Sequence, residues 1–191
     1  MSTEEKISYY LKKSKTIKNN FEKKIRVSIL SSFTLNGIEE IFRVKCAEKN
    51  IECHTHLGGY NQYNQEILDT QSQLYQFQAN ITFLILDTRS ILKDLWYSPY
   101  SIDEKARQNF IETKFQEIKN LIRVFLKNSN SKFIISNFTI PTKSNYGIFE
   151  TKLKFGFQKM ISKLNENLQN YVRNLDSVYL FDMNGFVSKH G

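Results

Sequence analysis

Residues 81–86 read Ile-Thr-Phe-Leu-Ile-Leu and stop at Asp87. A nearly continuous apolar strand leaves no polar side for water. It suits a central strand of a parallel sheet, covered on both faces. Four other segments read as its partners: 25–30 (IRVSIL), 51–57 (IECHTHL), 131–138 (SKFIISNF) and 177–182 (SVYLFD). Helical patterns fall between most of them. In residues 36–49, Ile38, Ile41, Phe42, Val44 and Cys46 form an apolar stripe that Asn50 closes. Long helical patterns run over about 103–128 and 146–174, and a short helix is expected after Asp182. Residues 58–70 read as a Gly- and Asn-rich loop with one helical turn. Strands alternating with helices predict an α/β fold, a three-layer α/β/α sandwich around a parallel five-stranded sheet.

The chain has 191 residues, enough for one domain with its own core. Its two prolines and seven glycines argue against an all-β or loop-rich fold. Residues 3–22 place Ile7, Tyr10, Leu11, Ile17 and Phe21 among lysines, an amphipathic pattern. The expected organisation is an N-terminal helix within 1–24, packed on a single domain of 25–191. No apolar stretch reaches the roughly 20 residues needed to cross a bilayer, and no signal-peptide block opens the chain. A cytoplasmic protein without a membrane partner is expected.

The net charge of +8 is spread over several segments. Lys12, Lys13, Lys15 and Lys18 crowd the first helix, and Lys152, Lys154, Lys159 and Lys163 a late one. No nucleic-acid-binding motif accompanies them, so nucleic acid is not the expected partner. Solvated lysine faces are the ordinary reading, and docking of an acidic protein is the functional one. Cys46 and Cys53 are expected as reduced, buried thiols. His54 and His56 share one side of their strand while Cys53 points to the other, so no metal site is expected there. Trp96, Tyr97 and Tyr100 follow the third strand and read as packing or as a cover over a ligand.

In an open parallel sheet, ligands bind outside the carboxyl ends of the strands. Those ends carry Ser31-Ser32, Gly58-Gly59 with Asn61, Asp87 with Arg89, Ser136-Asn137, and Asp182. Ser, Asp and Asn also cap helices, which is the ordinary reading of any one of them. Their occurrence together in this chain order raises the chemical reading. Ser32 is a candidate nucleophile, anion-binding turn residue or cap.

The order Ser, Gly, Asn, Asp resembles the SGNH (GDSL-type) hydrolases. In that fold a serine attacks a carbonyl, a histidine takes its proton, and a glycine amide and an asparagine hold the oxyanion. The resemblance places Ser32 as nucleophile, Gly58 or Gly59 and Asn137 at the oxyanion, and Asp182 in the terminal block. Gly185 stands where that block has its histidine, which leaves His190 as the remaining base in the tail.

A closer resemblance rests on "VSILSSFTLNGIEEIFR", "GGYNQYNQEILDTQSQLYQF", "ITFLILDTRSIL" and "FIISNFTIP". These are similar to the SGNH-like N-terminal domain of FkbH-like proteins, a branch of the haloacid-dehalogenase (HAD) superfamily, subclass IIIC. The similarity spans about residues 20–185. It implies pairing with a HAD domain that carries two aspartates and Mg²⁺, and loading of glyceryl units onto an acyl carrier protein in polyketide biosynthesis. No such aspartate motif occurs in these 191 residues. The expectation is therefore a cut or free-standing domain that binds or positions a small acyl or phosphorylated ligand, or an acyl carrier protein. It would use Ser31, Ser32, Asn61, Asp87, Arg89 and Asn137, with no cofactor of its own. Arg89 would hold a carboxylate or phosphate. The alternative is an active serine esterase or acyltransferase.

Overall fold

The structure is a computed structural model that describes residues 6–17, 21–144 and 146–190, with His190 described by its backbone alone. Its centre is a five-stranded sheet of β1 (Lys23–Ser31), β2 (Ile51–Leu57), β3 (Ile81–Ile85), β4 (Lys132–Ser136) and β5 (Val178–Phe181). The strand order is β2-β1-β3-β4-β5 and every pair is parallel. This is the flavodoxin-type doubly wound order, whose topological switch point lies between β1 and β3. Ser31 pairs with Ile85 at that point.

Side-chain alternation divides the core between the two faces. Leu30, Leu84, Phe133, Ile135 and Val178 face the larger cluster. It is closed by α3 (Tyr63–Leu68), α4 (Gln73–Gln76), α7 (Glu104–Asn128) and α8 (Phe157–Val172). On α7, Ile111, Phe115, Ile118, Leu121, Ile122 and Phe125 repeat every three or four residues and are buried, as an amphipathic helix on a sheet requires. Val27, Ile29 and Cys53 face the smaller cluster under α2 (Ile38–Ala47). Tyr179 and Phe181 of β5 remain 49% and 39% exposed, so cover is unequal at that edge.

Three boundaries depart from the sequence reading. The helix expected over 3–22 is α1 (Ile7–Ser14), and the next strand already begins at Lys23. Only Tyr10 and Ser14 of α1 are buried, and a Lys13–Glu48 pair at 2.7 Å ties it to the end of α2. Lys18 lies outside the described residues. The loop expected over 58–70 folds into α3, with α4 close behind it. The long helix expected over 146–174 is divided into a 3-10 helix, Gly147–Lys152, and α8.

The cause of that division is a cap from outside the helix. Gly156, the N-cap of α8, has no side chain to offer the free amides of the first turn. The Glu150 carboxylate takes that place, accepting from the Gln158 amide at 3.0 Å, from Ser144 Oγ at 2.8 Å and from the Tyr100 hydroxyl. A Cβ on Gly156 would stand 2.4 Å from Glu150 Oε1, so only glycine admits the carboxylate. The apolar spacing runs on across the break, and the periodicity alone does not reveal it.

Burial first, and the neighbouring Cys46 second, push the Cys53 thiol up to about 12. Iodoacetamide at mildly alkaline pH is expected to alkylate Cys46 well before Cys53 in the folded protein. Equal rates, read by peptide mass, would contradict this packing.

Candidate functional site

The carboxyl ends of the strands gather the residues singled out by the sequence. Ser32 is 3% exposed. Its amide extends the sheet by donating to Ile85 O at 3.1 Å. Its hydroxyl oxygen accepts from the Asp87 amide at 2.8 Å. One residue earlier in that loop, the Leu86 amide donates to Ser136 Oγ at 3.2 Å. Two successive amides at the end of β3 are thus held by hydroxyls from the strands on either side. Ser31 is also buried, and its hydroxyl donates to Phe33 O within the turn.

Asp87 is the N-cap of α5 (Thr88–Leu92) and accepts from the Ser90 amide at 3.4 Å. Thr88 Oγ1 meets Thr139 at 3.1 Å and joins this loop to the one after β4. Arg89 is exposed, with its guanidinium 5.3 Å from the centre of the Trp96 ring, a cation–π contact. Trp96 belongs to α6 (Asp94–Tyr97) and packs edge-on to Phe157.

Asn137 and Asp182 are brought together. Asn137 Nδ2 donates to Asp182 Oδ1 at 2.7 Å, and its Oδ1 accepts from the Asn184 amide at 2.8 Å. Asp182 Oδ1 also accepts from the Gly185 amide at 2.9 Å. Asn184 Oδ1 in turn accepts from the Ile140 amide at 2.8 Å. These bonds seat the first turn of α9 (Met183–His190) against the loop after β4. The Gly185 amide, and then Asn137, hold the Asp182 carboxyl below the usual aspartate value.

The glycines have conformational and packing roles. Gly58 donates its amide to Ile29 O at 2.9 Å, and a Cβ there would stand 2.6 Å from Leu30 Cδ2. Gly59 O accepts from the Gln62 amide at 3.0 Å, which turns the chain toward α3. Asn61 holds φ 54° in that turn, a left-handed conformation that asparagine tolerates.

Both described histidine side chains lie on β2. His54 pairs with Glu52 at 3.2 Å and His56 with Glu66 of α3 at 2.9 Å. The side chain of His190 lies outside the described residues. The hydroxyl of Ser32 therefore meets a backbone amide, and neither described imidazole has it as its partner. A serine nucleophile has to donate its proton to a base; the bond from the Asp87 amide uses one lone pair of Ser32 Oγ and leaves its proton to be donated.

Sequence reasoning named Ser136 only as a strand-end residue and missed Glu66 and Arg173. Arg173 joins Asn137, Asp182, Leu180, Gln169 and Val172 around a groove of about 510 Å³ at the β5 edge. A larger cavity, about 550 Å³, follows the opposite edge of the sheet along Glu52, His54 and Thr55 of β2. Of the strand-end residues, Asn137 and Asp182 border the β5 groove, and none lines the larger cavity.

With this geometry in hand, comparison with known proteins is decisive for family. The model of the FkbH N-terminal domain matches residues 15–191. The chain belongs to the FkbH N-terminal domain family. No curated protein matches it. Among solved structures, the N-terminal part of protein BF1531 from Bacteroides fragilis, described as containing a phosphatase domain complexed with Mg, superposes with a TM-score of 0.79 at 17% identity. The match covers 98% of this chain and 47% of that one, so the FkbH-type chain spans about half of its structural relative. The lipase Lip_vut3 from a goat rumen metagenome superposes with a TM-score of 0.59 at 12% identity, over 83% of this chain and 80% of that one. At these identities the likeness establishes a shared α/β fold. No described helix is long and apolar enough to cross a membrane.

Proposed function

We propose that this FkbH-type domain binds and positions substrate for a phosphatase-type partner domain and is not itself a serine esterase. The observation that carries the reading is that the two described imidazoles, His54 and His56, pair with Glu52 and Glu66 and not with Ser32. The residues that would build an SGNH centre are occupied in holding the strand-end loops together. Asn137 and Asp182 brace α9, and the Gly58 amide is spent in the sheet. The substrate class that fits is a small acyl or phosphorylated unit, free or on an acyl carrier protein, as in glyceryl or acyl transfer of the polyketide type. Arg89, just after β3, and Arg173, at the end of α8 in the groove with Asn137 and Asp182, are cations suited to a carboxylate or phosphate. The Bacteroides relative, with its phosphatase domain, supports pairing with a catalytic unit of that kind.

The second reading, a serine esterase or acyltransferase, draws on the likeness to a lipase. Fluorophosphonate labelling read by intact mass separates the two. The expected result is no adduct on folded wild-type protein. An adduct that disappears in Ser32→Ala would establish Ser32 as a nucleophile and overturn the positioning role.

A further inference from the structure

We infer that the 3-10 helix Gly147–Lys152 is a docking tip for an acidic protein partner. Ile148 is 91% exposed, Phe149 57% and Tyr146 48%. These three exposed residues fall within four consecutive positions of the connection between β4 and α8. Isolated exposed apolar residues are ordinary, but a contiguous apolar group rimmed by charge marks a contact surface.

Within 143–154 the exposed charges have one sign. Lys143, Lys152 and Lys154 are exposed, and none of the three is in an ion pair among the described residues. The acid of the segment, Glu150, is turned inward to the start of α8. The adjoining connection reaches the tip through the Tyr100–Tyr146 ring contact at 4.3 Å and holds an exposed acid at a helix N-terminus. Asp103 caps α7 through the Ala106 amide at 2.7 Å. Carboxylates are drawn to helix N-termini by the local amides and dipole, which leaves the lysines to set the outward potential. A cationic rim around an apolar centre is complementary to an acidic surface with an apolar cleft.

The tip is held at its base. Glu150 is fastened by Tyr100, Ser144 and the Gln158 amide, and Arg107 lies 5.0 Å from the centre of the Tyr100 ring. A preorganised protrusion loses little freedom on binding, which favours affinity. Three side chains match one cleft of a protein, whereas a bilayer surface calls for a broad apolar face along a helix.

The test rests on the reading that the chain acts on a carried substrate, and uses a purified holo-acyl carrier protein as the acidic probe. Binding to wild type is compared with Ile148→Ser/Phe149→Ser, with Lys152→Glu/Lys154→Glu, and with Lys12→Glu/Lys15→Glu on α1, all checked for fold by circular dichroism. Both tip variants are expected to weaken binding by about tenfold or more. The α1 variant, with the same change in net charge, should stay within about threefold. Wild-type binding that survives both tip variants overturns the docking tip and leaves the positioning role standing. Absence of wild-type binding overturns the docking tip and leaves the positioning of a free substrate standing. Tip-dependent binding to phosphatidylcholine–phosphatidylglycerol vesicles, without the carrier protein, would assign the tip to a membrane instead and overturn the proposal.

Discussion

Phe125→Ala is expected to destabilise the domain by about 3–5 kcal/mol. Phe125 is fully buried on α7, with its ring centre 4.3 Å from that of Phe133 on β4 and 6.3 Å from that of Tyr75 on α4. It fastens the longest helix to the sheet and to the connection after β2. Alanine removes the ring from two aromatic contacts and leaves a cavity that two neighbouring elements cannot close, because each is held by its own hydrogen bonds. Phe125→Leu, which keeps most of the volume, should cost about 1–2 kcal/mol. Urea unfolding of the two variants measures the difference. Equal midpoints for wild type and Phe125→Ala would contradict the packing of α7 described here.

Glu150→Ala comes second, at about 2–4 kcal/mol. The loss is larger than that of a surface carboxylate because buried donors are left behind. The Gln158 amide and the Tyr100 and Ser144 hydroxyls would face a void. Burial and the bond to Glu150 push the Tyr100 hydroxyl up to about 12, so the phenol keeps its proton and is the donor. Burial alone would raise the Glu150 carboxyl, but the bonds from Tyr100, Ser144 and the α8 amides outweigh it and hold the group below the usual glutamate value. Its contribution is therefore complete above the unfolded glutamate value and is lost as pH falls through the folded one. Stability of the wild type should fall with acidification below about pH 4, and Glu150→Gln should flatten that part of the profile. An unchanged acid limb in the glutamine variant would show that Glu150 stays uncoupled from folding.

The functional consequence of these two sites lies at the strand ends. Glu150 orders the base of the docking tip, and α7 backs the sheet from which Ser32, Asp87 and Asn137 project. A loss of carrier binding in Glu150→Ala without change at Ser32 would separate the tip from the crevice.

The apolar runs determined the fold class by themselves. A strand such as 81–86 has to be covered on both faces, and helices between parallel strands are the short right-handed way to cover it. The same runs placed all five strands within a few residues of their observed ends, and Asp103 to Asn128 as one helix. The places of the candidate residues at the strand ends followed too, since each apolar run stops at a polar or glycine residue. What those residues bond to was decided by the tertiary structure. Ser32 and Ser136 meet consecutive amides of the β3 loop only because β1 and β4 flank β3, a neighbourhood set by strand order over 50 or more residues. The break before α8 depends on Glu150 reaching a glycine through a contact with Tyr100, 50 positions earlier in the chain. Periodicity records which face of an element is buried. It carries no signal for a hydrogen bond between distant segments, and here those bonds are what join the loops after β1, β3 and β4.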